Sequence, residues 1–354
     1  MRTALAFLQT GADTVACVTS PAGPVASPRT GLPAVFAPPF SLAPDVPPWF
    51  EAGGESLAVL SPDEWRRQFP GPSRPIRLPA WGAPDEARFA DAFRGLASRL
   101  ADGSLRKGVP ITRMSAAVAP DDAETLAARL LARVPDLPGS LFAYGLYRPA
   151  SATGTGAPEF VVGATPELLF EVDADGRLST MAVAGTRRAD AESASLASSV
   201  KDRDEQAAVV EDLVTQLSAW GRPEVAGTIV RSFGTLAHLT TDIRVDAGGA
   251  LDFEEVARRL HPTPALGVYP RGEAGSAWLA GIDPDGERGR FGAPFGLRWP
   301  SGAGRCVVAI RNLQYRAGRL DIWAGCGVVS QSRYEDEWQE VLDKMQAVRA
   351  LWGV

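Results

Sequence analysis

Three lysines, Lys107, Lys201 and Lys344, stand against thirty-three arginines in this chain of 354 residues. A guanidinium group stays protonated at any working pH, whereas a desolvated ammonium group can lose its proton and act as a base. Lysines left over from an arginine-rich composition should be scattered. Instead each one lies beside other reactive groups, in the segments RKGVP, KDRDE and EWQEVLDK. The three lysines are therefore candidates for chemistry that arginine cannot perform.

Paired carboxylates occur on two predicted helices. Asp202 and Glu205 are three residues apart on one helix and share a face. Glu337 and Glu340 have the same spacing on the last helix, with Lys344 one turn further. Two such pairs can hold a hard cation such as Mg²⁺, which takes few protein oxygens, several waters and a ligand anion. From the residues alone, a solvated acidic face on each helix is the commoner explanation.

A glycine turn and a charged residue within an apolar run indicate a site for an anion. In the segment AGCG, Gly325 and Gly327 follow a predicted strand, and their backbone N–H groups can bind an anion or simply form a turn. Arg311 interrupts the apolar run VVAI, and a buried guanidinium needs a carboxylate or similar partner. An arginine on the solvated face of a sheet fits this pattern equally well. The two histidines, His238 in HLTT and His261 in HPTP, lie in comparable segments.

The composition limits the classes of protein to which the chain can belong. Apolar residues make up 45% and charged residues 22%, as in ordinary globular proteins. A net charge of −6 and a pI near 5.2 argue against a surface for nucleic acid or anionic membranes. We find no apolar run long enough to span a membrane and no signal-peptide pattern, and Cys17, Cys306 and Cys326 form no CxxC motif. We expect a cytoplasmic protein without a zinc site and without nucleic-acid or membrane partners.

Hydrophobic periodicity and turn residues predict an α+β protein with large, mostly antiparallel sheets. Helices are predicted at 85–103, 121–134, 196–219, 252–260, 271–280 and 333–352. Strands are predicted at Ala34–Phe36, Leu57–Leu60, Val109–Val118, Leu141–Tyr147, Glu159–Val162, Leu168–Val172, Leu178–Val183, 227–233 and 237–246, followed by a meander of Phe291–Trp299, Cys306–Tyr315 and Leu320–Val329. Because we find neither a repeat nor a clear linker, we expect a single domain over residues 1–354.

Ten short motifs run in one order through residues 85–354. They are RKGVP (106–110), GATPELLF (163–170), AVAGTRR (182–188), KDRDEQ (201–206), HLTT (238–241), LHPTPALG (260–267), GAPFG (292–296), VAIRN (308–312), AGCGVV (324–329) and EDEWQEVLDK (335–344). In these motifs the chain resembles the chorismate-utilising enzymes: isochorismate synthase, salicylate synthase, anthranilate synthase component I and aminodeoxychorismate synthase. The resemblance implies an α/β sandwich of two large antiparallel sheets flanked by helices. Residues 1–80 resemble only the family's variable N-terminal part.

The resemblance also implies a set of site residues. The family's metal ligands fall on Glu205 and Glu340, with Asp202 and Glu337 as second carboxylates nearby, and Mg²⁺ is the implied cofactor. The positions implied to contact the substrate are Thr186, His238, Ala265, Leu266, Phe291, Arg311, Gly325, Gly327 and Lys344. Among them, Arg311 and the two glycines would bind substrate carboxylates. The imidazole of His238 would donate a hydrogen bond beside the ring, or be a satisfied core histidine.

Two positions separate the reactions within the family. Members that add water to chorismate carry a lysine where the ammonia-using members usually have glutamine, and Lys107 matches that lysine, although the family's Lys-Val-Val is here Lys-Gly-Val. The nucleophilic lysine of aminodeoxychorismate synthase is replaced by Ala184. Exchanging the C4 hydroxyl for one at C2 needs a base on one face and an acid on the other. The resemblance assigns Lys107 as the base and Glu167 as the acid. From its pattern alone, Glu167 would be a hairpin-end carboxylate in water.

Three departures from the family's pattern bear on the substrate. Gln206 replaces a histidine after the metal-binding glutamate, Phe291 replaces a tyrosine that contacts a substrate carboxylate, and Ala293 replaces a common glycine. Each lost hydrogen bond to a charged group would cost about 1.5–3 kcal/mol of binding. We therefore expect weaker binding than in the family or a modified substrate.

These motifs together predict a Mg²⁺-dependent isochorismate synthase, acting on chorismate as a monomer without a glutaminase subunit. Two alternatives remain. A salicylate synthase would go on to eliminate pyruvate, although LHPTPALG, with Leu266 beside the ring site, is closer to isochorismate synthases. A chorismate-binding protein with little turnover would fit the changes at Phe291 and Gln206. An amine-transferring synthase would leave Lys107 without a role.

Overall fold

Strands and helices alternate in groups along the chain. The computed structural model describes residues 3–21, 23–53, 56–73, 80–189 and 195–354. The strands are β1 (Leu5–Gly11), β2 (Thr14–Thr19), β3 (Pro24–Val25), β4 (Ala34–Phe36), β5 (Trp49–Glu51), β6 (Leu57–Leu60), β7 (Lys107–Gly108), β8 (Ile111–Ala117), β9 (Phe142–Arg148), β10 (Glu159–Thr165), β11 (Leu168–Val172), β12 (Arg177–Arg188), β13 (Glu224–Val225), β14 (Ile229–Phe233), β15 (Leu236–Asp246), β16 (Val268–Tyr269), β17 (Pro294–Arg298), β18 (Gly304–Val308), β19 (Asn312–Arg316) and β20 (Arg319–Gly325). The helices are α1 (Pro62–Gln68), α2 (Glu86–Ala101), α3 (Pro120–Ala132), α4 (Ala150–Thr153), α5 (Val200–Leu217), α6 (Phe253–Leu260), α7 (Glu273–Ile282) and α8 (Tyr334–Trp352).

The strands form two large sheets and one small ribbon. The first sheet has eight strands in the order β6-β2-β1-β9-β10-β19-β20-β8. The second has ten, in the order β13-β15-β12-β11-β18-β17-β4-β5-β3, with β14 also paired to β15. The ribbon joins β7 to β16. The described pairings are antiparallel, so the predicted α+β class with large antiparallel sheets is confirmed.

The two large sheets pack face to face and carry helices on their outer faces. Between them, Leu146 of the eight-stranded sheet and Phe295 of the ten-stranded sheet belong to one buried cluster. Outside the eight-stranded sheet, α3 and α8 contribute Leu126 and Val341 to a second core. Outside the ten-stranded sheet, α5 and α6 bury apolar side chains such as Val256. The resulting four layers bury apolar surface on both faces of each sheet, which is the main source of stability in such sandwiches.

The inward faces of α5 and α8 are partly acidic. Asp202 and Glu205 lie on the buried face of α5, and Glu337 on that of α8, each with a side chain no more than 6% exposed. The alternative explanation of their spacing, a solvated acidic face, is therefore wrong for both helices. The buried positions also explain why α5 has weak amphipathic character, since carboxylates stand where apolar residues would complete the stripe.

The predicted C-terminal meander is wrong in two respects. The segment predicted as one strand, Cys306–Tyr315, is two strands in different sheets: β18 ends at Val308 and β19 begins at Asn312. Between them Arg311 has a φ of 53°, a left-handed conformation that a strand cannot contain. The chain thus crosses from one sheet to the other at Arg311. The last predicted strand also ends early, at Gly325.

The N-terminal part contains one helix that periodicity did not reveal. Helix α1 begins after Ser61, whose hydroxyl accepts from the backbone N–H of Glu64 while the Glu64 carboxylate accepts from Ser61 in return. The spacing Ser-x-x-Glu is a capping box and was the available signal. The helix is only two turns long and buries Trp65, so its apolar period is too short to detect.

Two further findings concern membrane-spanning helices and cysteines. Among the described residues, we find no helix both long enough and apolar enough to cross a membrane. All three cysteines are buried and none is in a disulfide.

Candidate active site

A cavity of about 640 Å³, counted with its open mouth, lies where the chain crosses between the sheets. Its walls come from β12, β15, β20, α5, α8 and the loops before β11 and after α6. It is lined by all nine predicted substrate contacts, Thr186, His238, Ala265, Leu266, Phe291, Arg311, Gly325, Gly327 and Lys344, together with Glu167 and Glu205. The structure therefore brings eleven predicted site residues around one cavity.

Arg311 is a buried cation in the cavity wall. Its guanidinium donates hydrogen bonds to the carbonyl of Phe233 (3.3 Å) and to Nε2 of His238 (2.6 Å). No carboxylate of the described residues forms an ion pair with it, so the expected carboxylate partner is not supplied by this part of the chain. Because a buried, uncompensated charge is costly, this arrangement favours an anionic ligand.

The backbone around Arg311 is held by a hydrogen-bonded brace. The Tyr144 hydroxyl donates to the carbonyl of Ile310 (2.9 Å) and accepts from the Asn312 amide (2.9 Å). The same amide donates to the carbonyl of Ala309 (2.8 Å). The brace fixes the residues on either side of a left-handed arginine, a conformation that costs free energy unless its surroundings enforce it.

His238 orients this arginine. Its Nδ1 lies 2.9 Å from the Gly185 carbonyl, which can only accept, so Nδ1 carries the proton and Nε2 accepts from Arg311. Burial, and secondly the charge of Arg311, lower the pKa of His238 well below its usual value, which keeps the imidazole neutral. In this arrangement both ring nitrogens of His238 are engaged within the protein.

Glu167 lies at a second crossover between the sheets, from β10 to β11. The two crossovers are tied together, because Val308 N–H donates to the Glu167 carbonyl (3.0 Å) and Ala164 N–H to the Arg311 carbonyl (3.3 Å). The Glu167 side chain is 4% exposed, so the interpretation as a hairpin carboxylate in water is wrong. Burial, which outweighs the attraction of Lys107, raises the pKa of Glu167 to about 7.

Lys107 is buried behind the cavity on the β7–β16 ribbon. Its Nζ donates to the carbonyl of Pro264 (2.6 Å) and lies 3.4 Å from Oε1 of Glu205. Burial, partly opposed by Glu205, lowers the pKa of Lys107. A lysine in these surroundings is closer to a neutral amine than one in water, which is what a general base requires.

The departure Lys-Gly-Val is explained by packing. A Cβ on Gly108 would lie 2.7 Å from Cδ1 of Leu96 and 3.2 Å from the Trp278 ring. These side chains occupy the space in which a valine would stand, so Gly108 leaves the backbone of Lys107 in place.

Gly327 leaves room for the side chains of Lys107 and Glu205. A Cβ at Gly327 would overlap Oε1 of Glu205 and lie 2.7 Å from Cε of Lys107. Any side chain there would therefore displace both groups. A Cβ at Gly325 would lie 2.7 Å from the Pro110 carbonyl, so the strand approaches too closely for another residue. The glycines are thus required for space as well as for any contact with an anion.

Between α5, α8 and the ribbon, the three lysines of the chain meet three of the predicted metal ligands. The ion pairs are Lys107–Glu205 (3.4 Å), Lys201–Glu337 (2.7 Å) and Lys344–Glu340 (2.7 Å). We call these six residues the lysine–glutamate cluster. The Lys344 ammonium also donates to the Gly325 carbonyl (2.9 Å), which joins the cluster to the cavity wall.

Charge in the cluster is unevenly shared between the two glutamates of α8. Burial and repulsion by Glu340 raise the pKa of Glu337 to about 7. Burial acts on Glu340 too, but Lys344 and Lys201 hold its pKa below the usual value. Burial opposes the charge of Lys344, yet the attraction of Glu340 raises its pKa. Glu337 is thus the carboxylate whose negative charge is least compensated.

The cluster suits a hard divalent cation in its donor chemistry. Oε2 of Glu337 is buried and has no hydrogen-bond donor among the described residues. Within the same residues we find no three carboxylate, imidazole or thiol groups already arranged as a complete metal site. Mg²⁺ is commonly held by one or two carboxylates, with waters and substrate oxygens completing the octahedron, so the residues present fit that ion.

Asp202 is set apart from the other predicted ligands. Its carboxylate accepts from Arg187 (3.0 Å), and its backbone N–H donates to the Ser199 side chain at the start of α5. With Glu337 and Glu340 it lines a wider opening on the solvent side of the cluster. The guanidinium of Arg187 therefore balances the charge of Asp202 even without a metal ion.

A comparison with protein families identifies the family of the chain that forms this cavity. Residues 152–352 match the family model described as chorismate binding enzyme. The chain belongs to the chorismate binding enzyme family. The matched region contains every predicted site residue except Lys107.

Curated relatives of this chorismate binding enzyme include isochorismate synthases. The chain is 37% identical over 204 residues to the salicylate biosynthesis isochorismate synthase of Pseudomonas aeruginosa, covering 53% of the chain and 41% of that protein. It is 31% identical to an isochorismate synthase of Bacillus subtilis, covering 74% of the chain and 66% of the relative. The chain therefore spans only part of the length of these relatives.

Solved structures show the same fold over almost the whole chain. The menaquinone-specific isochorismate synthase of Escherichia coli has a TM-score of 0.75 at 20% identity and covers 99% of this chain and 88% of its own. Anthranilate synthase component I of Streptococcus pneumoniae has a TM-score of 0.68 at 15% identity, covering 99% and 92%. The fold implied by the sequence motifs is confirmed.

The three residues that depart from the family pattern differ in whether they line the cavity. The Gln206 amide donates to the Ala182 carbonyl (3.2 Å) and the Thr241 hydroxyl (2.9 Å), so this residue is held in the core under α5. Ala293 is fully buried and does not line the cavity. Phe291 does line it and stacks on Trp323 at 6.4 Å between ring centroids. Of the three changes, Phe291 alone alters the cavity surface.

Sequence reasoning missed residues that support the site. Trp323 forms part of the cavity wall, with the guanidinium groups of Arg88 (4.9 Å) and Arg113 (5.5 Å) beside its ring. Asp212 on α5 forms two hydrogen bonds of 2.7 Å with Arg271, which also donates to carbonyls at the end of α6. An aromatic residue and an acidic residue of these types carry no local sequence signal, since their roles depend on partners far away in the chain.

Proposed function

We propose that this protein is a Mg²⁺-dependent isochorismate synthase, which adds water at C2 of chorismate and removes the hydroxyl at C4. One observation carries the proposal: Glu167 in the cavity wall and Lys107 buried behind the cavity have pKa values shifted in opposite directions, downward for Lys107 and upward, to about 7, for Glu167. A lysine that is easier to deprotonate than usual and a carboxyl that holds its proton to a higher pH than usual can serve as a base and an acid. Ala184 offers no amine nucleophile, which disfavours an amine-transferring synthase.

The two groups account for the protons of the reaction. Nζ of Lys107 takes one proton from water as the water oxygen bonds to C2, and the ring double bonds shift toward C4. The carboxyl of Glu167 gives its proton to the C4 hydroxyl, which leaves as water. One water enters and one leaves, so substrate and product have the same mass. Exchange of protons with solvent restores both residues for the next cycle.

The other cavity residues bind and orient the substrate. Arg311, held by His238, offers a guanidinium to a substrate carboxylate, and Lys344 adds a second positive charge on the side of α8. Leu266 and Phe291 provide apolar surface that excludes water from the ring. A substrate with two carboxylates and one apolar ring face is complementary to this set of groups.

Glu205, Glu337 and Glu340 would hold the Mg²⁺ ion, with Asp202 behind them. When bound, the ion would neutralise the acidic groups and anchor a substrate carboxylate, which fixes the geometry of the reacting atoms. Water as the nucleophile requires no glutaminase subunit.

A salicylate synthase, which eliminates pyruvate after forming isochorismate, is the second candidate. The name of the relative from Pseudomonas aeruginosa, salicylate biosynthesis isochorismate synthase, links this kind of protein to that product. The two candidates share the first step and the same residues, so the product distinguishes them.

The test is incubation of the purified protein with chorismate, in Mg²⁺ or in EDTA, followed by chromatography, NMR and a coupled assay for pyruvate. We expect a Mg²⁺-dependent product of unchanged mass without pyruvate. Stoichiometric pyruvate and salicylate would favour the second candidate. Unchanged chorismate, with tight binding of it, would overturn the proposal in favour of a binding protein with little turnover.

A further inference from the structure

Lys201 lies among the carboxylates that the proposed function assigns to Mg²⁺. Its Nζ is 2.7 Å from Oε1 of Glu337 and 4.0 Å from Oδ1 of Asp202. It lies four positions before Glu205 on α5, so both side chains project from the same helix face. Burial opposes its charge, yet the attraction of Glu205, Glu340 and Glu337 raises the pKa of Lys201. The ammonium is therefore electrostatically coupled to every proposed ligand.

The chemistry of Glu337 requires such a neighbour when no metal is bound. The side chain of Glu337 is 1% exposed, and its Oε2 has no donor within the described part of the chain. A buried carboxylate without a counter-ion destabilises a fold. The ammonium at Oε1 provides the counter-charge and leaves Oε2 free to bind another cation.

The choice of lysine in an arginine-rich chain fits this position. An ammonium group is a compact charge on a flexible stem, which can move aside, whereas a guanidinium is a broad planar fork that holds a carboxylate by two hydrogen bonds. Asp202 nearby is bound by such a guanidinium, that of Arg187, at 3.0 Å.

We propose that Lys201 is an internal counter-cation, which holds Glu337 in the metal-free protein and competes with the divalent cation for that carboxylate. The inference rests on the Mg²⁺ site of the proposed function and adds a determinant of its affinity. A divalent ion that binds Glu337 must push the ammonium back, because two cations in one cluster repel each other. Lys201 thus stabilises the metal-free site and lowers its affinity for the divalent cation.

The test is a pair of substitutions, Lys201→Met, which removes the charge but keeps an unbranched side chain, and Lys201→Arg, which keeps the charge. Mg²⁺ binding is measured by titration calorimetry, and the melting temperature with and without Mg²⁺, at fixed salt concentration. We expect Lys201→Met to lower the melting temperature in EDTA and to bind Mg²⁺ at least about tenfold more tightly. Lys201→Arg, whose guanidinium keeps the charge and can hold Glu337 by two hydrogen bonds, should bind Mg²⁺ no more tightly than the parent protein.

Equal or weaker Mg²⁺ binding by Lys201→Met would overturn the inference, since a purely structural ion pair predicts that result. If Lys201→Met does not fold, Lys201→Gln, which keeps a hydrogen bond to Glu337, is held to the same tenfold criterion. Measurements on the parent protein distinguish a failure of this inference from a failure of the proposed function. Chorismate turnover in EDTA, with no Mg²⁺ binding by any variant, would refute the metal site itself and with it the role of Lys201.

Discussion

Two regions of the site hold buried charge in different ways. At Glu167, where the chain crosses between the sheets, and at Lys107 on the β7–β16 ribbon behind the cavity, burial dominates: the pKa of Glu167 rises to about 7 and that of Lys107 falls. Between α5 and α8, opposite charges dominate, and the pKa values of Lys201 and Lys344 rise although both are partly buried. The first region keeps groups close to their neutral forms, as proton transfer requires. The second keeps groups ionised, as binding of ions requires.

Glu337 is the exception within the second region. Its pKa is raised to about 7 because burial and Glu340 outweigh the single ammonium of Lys201. The cluster therefore has one carboxylate whose charge is incompletely balanced. A bound cation would remove this imbalance, so the exception lies where the proposed metal would act.

The largest effect is expected from the residue between the two regions. Lys107→Gln removes the proposed base, and we expect the rate of chorismate turnover to fall at least about 100-fold, because positioned base catalysis contributes that much or more. The measurement is the initial rate by NMR or coupled assay. Because Lys107 also lies 3.4 Å from Glu205, calorimetry of Mg²⁺ binding is the control, and we expect binding to be retained. A variant that keeps more than a tenth of the rate would exclude Lys107 as the base.

A somewhat smaller effect is expected from the acid. In the parent protein, activity should decline as the pH rises through about 7, because Glu167 loses the proton that it must donate. Glu167→Gln should lower the maximal rate about 100-fold and remove this pH dependence. An unchanged alkaline limb in the variant would assign it to another group.

The raised pKa of Glu167 also predicts that the stabilities of the parent protein and of Glu167→Gln depend differently on pH. Since the pKa of Glu167 is raised from 4.5 to about 7, its protonated form stabilises the fold fully below about pH 4.5, and this contribution is lost as the pH rises through about 7. From low pH to above pH 7, the free energy of unfolding of the parent should fall by up to about 3 kcal/mol relative to Glu167→Gln. Denaturant unfolding at several pH values measures the difference, and parallel curves would show that burial does not control this carboxyl.

The smallest effect concerns the brace around Arg311. Tyr144→Phe removes two hydrogen bonds that hold the crossover, and we expect KM to rise about tenfold with little change in kcat. Tyr315→Phe is a matched control, because the Tyr315 hydroxyl also donates to a backbone carbonyl, that of Val118 (3.3 Å), but does not line or brace the cavity. Equal changes of KM in both variants would mean that the brace acts through general stability.

Much of the fold was predictable because its signals are local. Helix α2 begins where the Asp85 side chain accepts from Arg88 N–H, and its apolar spacing ends before Gly103, as the pattern indicates. The hairpin of β11 and β12 follows from Asp175 and Gly176, since Gly176 has a φ of 86°. The error at Arg311 arose because VVAIRNLQY has the composition of one continuous strand, and nothing in it marks the change of sheet.

The candidate site was likewise predictable only in part from the sequence. Residue types and motif order were enough to select the three lysines, the paired carboxylates and the glycines, because an ammonium, an acidic ligand pair and a position without Cβ are properties of the residues themselves. Which carboxylate is neutral and which is ionised depends on burial and on neighbours from distant segments, as for Glu167 and Glu340. The role of His238 as an acceptor from Arg311 likewise depends on a contact across 73 residues of sequence.

The sequence by itself determined the family, the α+β class and the set of reactive groups, since each of these is written in local patterns and in their order. Only the tertiary structure decided how the groups are used. Two crossovers between sheets, tied by hydrogen bonds, bring Glu167 and Arg311 to one cavity, and the facing helices α5 and α8 pair Lys201 with Glu337. The physical reason is that protonation and ion binding depend on burial and on charges a few ångströms away, and these arise only when distant segments pack together.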